Sequence, residues 1–341
     1  MSFREKRGIW GRKPGFFRSD TNTPTHQPTS RRLRGAHTSN HMKSFFSTRF
    51  SRPSYEAQLR LFLVPYLLGT LILVVLPALA TVAVAFTEYN SIQPPKWVGF
   101  DNFGRLMSAS LVQLSLYNTL IFVGLAVPLR LLAALALALL LQRQRRLFGL
   151  YRASVYLPTV IPEAGYALIW LWIFNPLYGP LNMVLAWFGL PTPAWLVEPE
   201  SARVAIVIML GFQIGEGFVV LLAGLQSIPR AFYEAATVDG ANSWQCFWQI
   251  TLPLIMPWLL LLTFRDLLVS LESTFAPSFM LTYGGPYYAT TFVPLLLYEI
   301  AFDYFDFGMA AALLVVTYLL TGLLIMGIIK SVGLDGGTDE V

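Results

Sequence analysis

The chain has 341 residues, of which 55% are hydrophobic and only 13% are charged, with a formal net charge of +5. Because soluble domains carry roughly a quarter charged residues, this composition favours an integral membrane protein. A single cysteine, Cys246, excludes an internal disulfide and a cysteine-based metal cluster. All three histidines fall within the first 41 residues, so we expect no histidine-based metal site or catalytic triad in the rest of the chain.

Residues 1–58 form a basic segment rich in Ser, Thr, Pro and Arg. The first 60 residues hold 13 of the 24 lysines and arginines but only three acidic residues. Polar composition without an apolar period predicts a disordered tail rather than a signal peptide. Positive charge next to a first membrane span favours the cytoplasmic side. Nucleic-acid binding is the alternative, which the position of the tail before a membrane span disfavours.

Six long apolar segments follow the tail, and each predicts a membrane-spanning helix because backbone polar groups in lipid must be satisfied within the segment. The first has 26 residues and would be about 39 Å long as a helix, enough to cross a hydrocarbon layer of about 30 Å. One soluble domain could not easily bury six such segments. Spans one to six cover residues 61–86, 116–141, 150–174, 202–225, 254–280 and 308–329.

The fold class that we predict is therefore an all-α membrane protein with six transmembrane helices. The transmembrane domain would cover residues 59–335, with a short tail over 336–341. The charges predict that both termini lie inside, because lysine and arginine favour cytoplasmic loops. The segments that would lie inside hold Arg143, Arg145, Arg146, Arg152, Arg230 and Lys330, whereas the outer ones hold Lys96 and Arg105, with Arg203 at a span edge.

The loop between spans four and five, residues 226–253, is the most informative stretch. Pro229 suits the first turn of a helix, where its missing N–H has no helical partner, and residues 231–237 favour a helix. The pair Asp239-Gly240 predicts a turn in which the glycine adopts a positive φ.

A second short helix is predicted over residues 243–250. Asn242 or Ser243 can cap it, and Gln245 can complete a capping box with Asn242. Pro253 is expected to end this element and to lead into span five. Taken alone, the two helices fit a docking element at the inner membrane face or an ordinary amphipathic surface helix resting on lipid.

Three motifs in this loop point to a known family. They are Glu234-Ala235-Ala236, Asp239-Gly240-Ala241 and Ile250-Thr251-Leu252-Pro253. At this spacing they resemble the EAA loop of binding-protein-dependent ABC importer permeases, and we use the name EAA loop for residues 226–253. Further stretches resemble the carbohydrate branch, which includes the maltose and glycerol-3-phosphate permeases, and together the markers extend over about residues 60–330. These stretches are residues 99–103, Asn118-Thr119, 223–229, 281–286, 301–302 and 308–312.

The resemblance implies a type I ABC importer permease fold in which the EAA loop is a cytoplasmic coupling helix that docks on a separate ATPase subunit. It also implies a location in the bacterial cytoplasmic membrane and three kinds of partner: a second permease subunit, two copies of an ATP-binding subunit and an extracytoplasmic solute-binding protein. The residues that it assigns to the ATPase contact are Glu234, Ala235, Ala236, Asp239, Gly240, Ala241 and Pro253.

The chain offers no machinery for catalysis of its own. A phosphate-binding Gly-x-x-x-x-Gly-Lys-Ser/Thr loop is absent from the sequence. We therefore expect a protein that is not an enzyme and holds no cofactor, with ATP and magnesium bound by the partner subunits. A stand-alone secondary transporter or channel remains the alternative from another class, and a non-sugar polar metabolite the alternative solute.

Charged groups inside membrane spans are costly, so each is a candidate for the solute pathway or for pairing between helices. Arg130 in span two could pair with one of the intramembrane carboxylates. In span five, Arg265 and Glu272 share one helical face, and Asp266, Ser270 and Ser273 form a neighbouring stripe. Hydroxyl groups and aromatic rings suit a sugar. The candidate pathway residues are Glu163, Tyr166, Gln213, Glu216, Ser270, Leu271, Glu272 and Thr274, of which Leu271 and Thr274 are implied by the resemblance.

Overall fold

The structure is a computed structural model, and it describes residues 55–142 and 148–332. The predictions for residues 1–54 and 333–341 lie outside the described residues. The chain divides into the units Met1–Phe62 and Leu63–Val341. In the first unit the described residues belong to the helix Tyr55–Thr70. All further features belong to the second unit.

Nearly all of the described secondary structure is helical. The helices are Tyr55–Thr70, Leu71–Val75, Leu76–Val84, Asp101–Ser108, Ser110–Leu140, Phe148–Val160, Glu163–Ile173, Pro180–Trp187, Pro199–Gly211, Gly215–Ser227, Arg230–Val238, Ser243–Cys246, Phe247–Thr251, Leu252–Ser273, Phe275–Pro277, Ser278–Thr282, Val293–Tyr298, Glu299–Asp303 and Phe307–Val332. Leu71–Val75, Phe247–Thr251, Ser278–Thr282 and Glu299–Asp303 are π-helical turns. A two-stranded antiparallel bridge pairs Thr87–Glu88 with Lys96–Trp97, so the prediction of purely α-helical structure misses one short element.

Four of the predicted spans are uninterrupted helical runs that are long and apolar enough to cross a membrane. They are Leu59–Val84, Ser110–Leu140, Ser243–Thr282 and Phe307–Ser331. These runs confirm spans one, two, five and six as apolar helices. The full count of six crossings stays a prediction because the other two spans are broken.

Span three was predicted as one helix over 150–174, and this is wrong. The segment forms two helices, Phe148–Val160 and Glu163–Ile173, that are separated at Ile161 and Pro162. Pro162 is extended, with φ −54° and ψ 139°. Proline has no N–H to donate to the preceding turn, and its ring disfavours a helical residue before it, so the helix stops and restarts here.

Span four is also not straight. Its two halves, Pro199–Gly211 and Gly215–Ser227, are bent by 46° relative to each other. At the bend, Gly215 lies so close to the end of the helix Phe148–Val160 that a Cβ atom would be 2.8 Å from the Tyr156 Cα atom. Because Gly215 has no side chain, the half-helix Gly215–Ser227 of span four can lie close to span three.

The sequence predicted that the second helix of the EAA loop ends at Pro253, and this is wrong. It begins at Ser243 and continues through the π-helical turn Phe247–Thr251 into Leu252–Ser273. Pro253 lies in the first turn of this last segment, where a proline costs little because its N–H would not be needed by the helix. The second helix of the EAA loop and span five thus form one continuous helical run, Ser243–Thr282.

Span two is at the centre of the packing. Its buried side chains include Phe122 and Ala134, which pack against span four and span five, while Phe218 and Leu221 of span four are fully buried. Small residues such as Ala126 and Ala138 allow close approach of helices, as is usual in membrane bundles. By contrast, Leu71–Val75 and Leu76–Val84 of span one hold no buried residue.

Candidate functional site

The EAA loop is organised by backbone hydrogen bonds at the end of its first helix, Arg230–Val238. The Ala241 N–H donates to the Ala236 carbonyl at 2.9 Å, and the Gly240 N–H donates to the Thr237 carbonyl at 3.1 Å. Gly240 has φ +79°. This is a Schellman motif, which requires a left-handed residue just after the helix and so favours glycine. The predicted positive φ at Gly240 is confirmed.

The second helix of the loop begins with the predicted capping box. The Gln245 N–H donates to the Asn242 side chain, and the Asn242 N–H donates to the Gln245 side chain, both at 2.9 Å. Asn242, rather than Ser243, is thus the cap. The first helix also meets the second directly, since Tyr233 Oη lies 2.9 Å from Thr251 Oγ1. The contact between Tyr233 and Thr251 was not predicted from the sequence.

Much of the surface of the loop is left uncovered by the described residues. Glu234, Ala235, Asp239, Gly240 and Pro253 are exposed, while Ala236 and Ala241 are partly buried beneath them. The loop also exposes large apolar side chains, with exposed fractions of 50% for Phe232, 87% for Val238 and 69% for Trp244. Exposed apolar side chains of this size in a short segment are typical of a protein contact site.

A network of charges connects spans two, four and five. Arg130 Nε lies 3.7 Å from Asp266 Oδ2, and both side chains are 7% exposed. This confirms the predicted pairing of Arg130 with an intramembrane carboxylate. Arg265 Nη1 binds Asp266 Oδ1 at 2.9 Å and also contacts Glu216. Among the described residues, Glu216 and Asp266 are thus the carboxylates that Arg265 contacts.

Arg130 also reaches the bend of span four, where its Nη2 lies 3.5 Å from the carbonyl of Gln213. A helix break leaves backbone carbonyls without helical donors, and a buried guanidinium can satisfy one of them. Glu216, in the first turn of the next half-helix, contacts Arg265. Two of the predicted pathway residues, Gln213 and Glu216, thus belong to contacts that hold the bend in place.

The candidate residues Glu163 and Tyr166 lie three residues apart on the helix Glu163–Ile173, but in different surroundings. Tyr166 is 4% exposed, and its hydroxyl donates at 2.7 Å to the carbonyl of Met209, which lies in the half-helix Pro199–Gly211 of span four. Glu163 is exposed because the helix restarts after Pro162, so that the carboxylate occupies an accessible first turn. Tyr166 therefore connects spans three and four, whereas Glu163 lies at an exposed position of span three.

Span five carries a buried hydroxyl stripe, which consists of Ser270, Ser273 and Thr274. Their exposed fractions are 0%, 8% and 0%, and none of the three hydroxyls has a hydrogen-bond partner among the described residues. The predicted stripe of Asp266, Ser270 and Ser273 on one buried face is confirmed. An unsatisfied buried hydroxyl costs about 1–3 kcal/mol, so three together need an explanation.

Leu271 and Glu272 lie on a different face of span five from the hydroxyl stripe. They line a cavity of about 320 Å³ together with side chains of the 293–303 helix, which comprises Val293–Tyr298 and Glu299–Asp303, and of span six. The candidate residues of span five therefore form two separate groups, one buried within this chain and one facing an open cavity.

Asn118 and Thr119 contact the loop that follows residues 281–286, and both stretches resemble the carbohydrate branch of the family. The Asn118 side chain donates to the Tyr288 carbonyl at 2.9 Å and to the Thr291 carbonyl at 3.2 Å. Thr119 Oγ1 accepts the Val293 N–H at 3.0 Å, and Arg203 Nε donates to the Ala289 carbonyl at 3.2 Å. Spans two and four thus hold the loop that follows residues 281–286.

Two carboxylates and a phenol lie near this loop, outside the spans. The Tyr283 hydroxyl donates to Asp303 Oδ2 at 3.3 Å. The negative charge of Asp303 is the main cause that raises the pKa of Tyr283 above 10.0. Burial, and then the charge of Asp303, raises the pKa of Glu299 above 4.5.

Comparison with known proteins gives the context of this geometry. Residues 130–333 match the family model described as binding-protein-dependent transport system inner membrane component. The chain is similar to the probable ABC transporter permease protein YesP of Bacillus subtilis, with 34% identity over 278 residues that cover 79% of this chain and 88% of YesP. It is also similar to the trehalose/maltose transport system permease protein MalF of Thermococcus litoralis, with 34% identity over 265 residues that cover 76% of this chain and 88% of MalF.

A solved structure is similar over most of the fold. It is that of a bacterial alginate ABC transporter in complex with alginate pentasaccharide-bound periplasmic protein. The alignment has a TM-score of 0.69 and 25% identity, and it covers 82% of this chain and 96% of the matched chain.

Proposed function

Because this chain belongs to the family of binding-protein-dependent transport system inner membrane components, it is a transmembrane permease subunit of an ABC importer, and we propose that its solute is a sugar or a sugar-like molecule. The relative MalF is named for trehalose and maltose, and the similar solved structure is of an alginate transporter. Fold likeness alone does not fix a substrate, so the proposal also depends on the polar and aromatic groups of the spans.

The exposed EAA loop is the observation that carries the proposal. Its first helix presents Glu234 and Ala235, and none of the described residues covers them. A separate ATPase subunit would dock here, with Glu234 pairing with a basic residue and the small residues allowing close backbone approach. Gly240 and Asp239 form the turn that orients this surface.

Mechanical coupling would pass from the loop to the pore through span five. The second loop helix and span five are one continuous run, Ser243–Thr282, with Pro253 inside it. A displacement of the docked loop would therefore move the hydroxyl stripe and the cavity face of span five. ATP binding and hydrolysis on the partners would bias two conformations of this run, as differential binding requires.

The partners that we propose are a second permease subunit, two ATP-binding subunits and an extracytoplasmic solute-binding protein. The periplasmic protein bound in the alginate transporter structure supports the last of these. We place ATP and magnesium on the ATP-binding subunits, with no catalysis and no cofactor in this chain. The charge distribution supports a multi-pass arrangement in the cytoplasmic membrane with both termini in the cytoplasm.

For the solute pathway we propose the candidate residues of span five, Ser270, Leu271, Glu272 and Thr274. A solute with many hydroxyl groups could satisfy the three unpartnered hydroxyls when the helices separate. Tyr166, Gln213 and Glu216 would support this pathway indirectly, since they make contacts between spans.

The test is the coupling between ATP hydrolysis and uptake in the assembled complex in proteoliposomes. Glu234→Ala and Gly240→Ala should each reduce uptake and solute-stimulated ATP hydrolysis. Gly189→Ala is the matched control, because Gly189 has φ +69° and open space around its Cα, as Gly240 does, but lies outside the EAA loop. Normal coupling in both loop variants would contradict the assignment. Uptake by this chain without an ATPase subunit would favour the secondary transporter instead.

A further inference from the structure

The cavity beside span five has the composition of a binding site. Four aromatic side chains form much of its wall, and one carboxylate, that of Glu272, is the charged group among its lining residues. Its volume of about 320 Å³ lies within the range of small-molecule sites. The four rings are those of Phe275, Tyr298, Phe302 and Tyr318.

An aromatic ladder leads from this cavity to the loop beyond span five. Phe275 stacks on Phe279 with ring centroids 5.5 Å apart, and Phe279 contacts Tyr283 at 5.3 Å. Tyr298 contacts both Phe275 and Phe279, at 5.3 and 5.5 Å. Tyr283 at the end of the ladder is 55% exposed. A ligand could therefore keep an aromatic contact from the accessible loop down to the cavity.

Glu272 differs from the other carboxylates of spans four and five. Asp266 and Glu216 are paired with arginines. Glu272 has neither a hydrogen-bond partner nor an ion-pair partner within residues 55–142 and 148–332. A charge inside a span without a partner is expensive, and none of the described residues supplies a partner here, so Glu272 is available to a ligand.

The four aromatic rings and the carboxylate of Glu272 determine which kind of ligand the cavity can bind. Aromatic faces stack on the C–H face of a sugar ring, and a carboxylate accepts hydrogen bonds from hydroxyl or ammonium groups. Lipid tails offer no donors and would leave Glu272 unsatisfied. An anionic group would face a like charge at short range, which at an intermediate dielectric weakens binding by about a hundredfold or more.

We propose that this cavity is a subsite for one ring of a sugar that carries no negative charge, with Glu272 accepting its donors and excluding anionic sugars. The inference rests on the proposed function, which it narrows from sugars in general to uncharged and cationic ones. The subsite lies on a different face of span five from the buried hydroxyls.

Site occupancy can be measured by thiol protection in the assembled complex. Tyr318→Cys puts a thiol in the cavity wall, and the wild-type chain with its native Cys246 gives the background of maleimide labelling. Maltose and the glucosamine disaccharide should slow labelling of Tyr318→Cys, and digalacturonate should not. Tyr117→Cys, at an exposed position of span two outside the cavity, should show no protection by any of them.

Adding Glu272→Gln to the Tyr318→Cys chain should raise the half-protecting concentration of maltose about tenfold, as expected for loss of a charged hydrogen bond. In transport assays, Glu272→Gln and Tyr298→Ala should each lower the solute imported per ATP hydrolysed about tenfold. Glu198→Gln, a change at an exposed carboxylate outside the spans, should leave this ratio unchanged.

Three results would overturn the inference while leaving the proposed function intact. They are protection by digalacturonate as strong as by maltose, an unchanged import ratio in both variants, and failure of Glu272→Gln to assemble, which would show that Glu272 pairs with the second permease. A wild-type complex that imports a solute other than a sugar would instead refute the proposed function, and this inference with it.

Discussion

The Tyr233 hydroxyl lies 2.9 Å from the Thr251 hydroxyl, so the first helix of the EAA loop is hydrogen-bonded to the beginning of span five. Thr251 Oγ1 also lies 3.3 Å from the Cys246 carbonyl and is the donor in that contact. A hydroxyl has one proton, so Tyr233 is the donor to Thr251. This bond connects the first helix of the EAA loop to the helix that continues into span five.

Tyr233→Phe should loosen this connection without changing the docking surface. The expected loss is about 1 kcal/mol, as for a typical partly buried hydrogen bond. We expect ATP hydrolysis to continue while the solute imported per ATP falls, since motion of the loop would no longer be transmitted fully. The ratio of uptake to ATP hydrolysis in proteoliposomes measures this effect.

Tyr151→Phe is the control, because Tyr151 is 51% exposed and makes no side-chain hydrogen bond within the described ranges. Thr251→Val tests the same bond from its other end. If Tyr233→Phe, Thr251→Val and the double variant all keep the wild-type ratio, the bond has no part in coupling.

Local signals in the sequence predicted the EAA loop well. The positive φ of Gly240 and the capping box of Asn242 and Gln245 depend on residues within one or two turns. The pairing of Arg130 was predictable for a different reason, since a charge inside a membrane span requires a partner. In each case the physical requirement can be stated without knowledge of the neighbouring helices.

The interruptions of the spans and the division of the candidate pathway were not predictable in this way. Hydropathy averages over the segment, so it does not report the break at Pro162 or the bend before Gly215. The faces of Glu272 and Thr274 depend on which helices pack on either side of span five. The sequence placed Arg265 and Glu272 on one helical face, and only the tertiary packing shows that Arg265 contacts Glu216 and Asp266.

Asp266→Leu should destabilise the chain more than Arg130→Met. Asp266 retains Arg265 at 2.9 Å when Arg130 is removed, whereas Arg130 retains only the Gln213 carbonyl at 3.5 Å when Asp266 is removed. Breaking a buried pair so that one charge is stranded costs about 3–5 kcal/mol. We expect this cost for Asp266→Leu and a clearly smaller one for Arg130→Met, measured by thermal unfolding of the purified complex.

The double variant Arg130→Met/Asp266→Leu should recover most of the stability lost in Asp266→Leu, because no stranded charge remains. A double variant that is no more stable than Asp266→Leu would show that the two residues act independently of their ion pair.

The stability of the region around the 293–303 helix should depend on the protonation of Glu299. Burial, with the charge of Asp303 as the second cause, raises the pKa of Glu299 above 4.5 in the folded protein. Between pH 4.5 and this raised value the folded state holds a proton that the unfolded chain has lost. The free energy of unfolding therefore falls as the pH rises through this window.

Glu299→Gln should remove this part of the pH dependence, because the amide remains neutral as the protonated carboxyl is. The thermal midpoint of the purified complex, measured at a series of pH values from about 4 upwards, checks the prediction. Glu198→Gln should keep the wild-type slope. An equally steep fall with pH in Glu299→Gln would assign the dependence to another group.

Gly215→Ala should be among the most damaging small substitutions in the described part of the chain. An added Cβ would lie 2.8 Å from the Tyr156 Cα atom and 3.0 Å from the Val155 carbonyl oxygen, and backbone atoms of span three cannot move away as a flexible side chain can. The bend of span four would have to open or the two spans would have to separate. Either response would also displace Glu216 and Gln213 from the arginines that they contact.

Gly217→Ala is the matched comparison, two residues further along the same half-helix. There an added Cβ would meet the Ala134 Cβ at 3.5 Å, which is an ordinary contact. Because alanine favours helix over glycine by up to about 1 kcal/mol, Gly217→Ala should be neutral or stabilising. Gly215→Ala should instead lower the free energy of unfolding by about 2 kcal/mol or more, as overpacking against a fixed neighbour does. Equal thermal midpoints for the two variants would show that the close approach of spans three and four is not needed for stability.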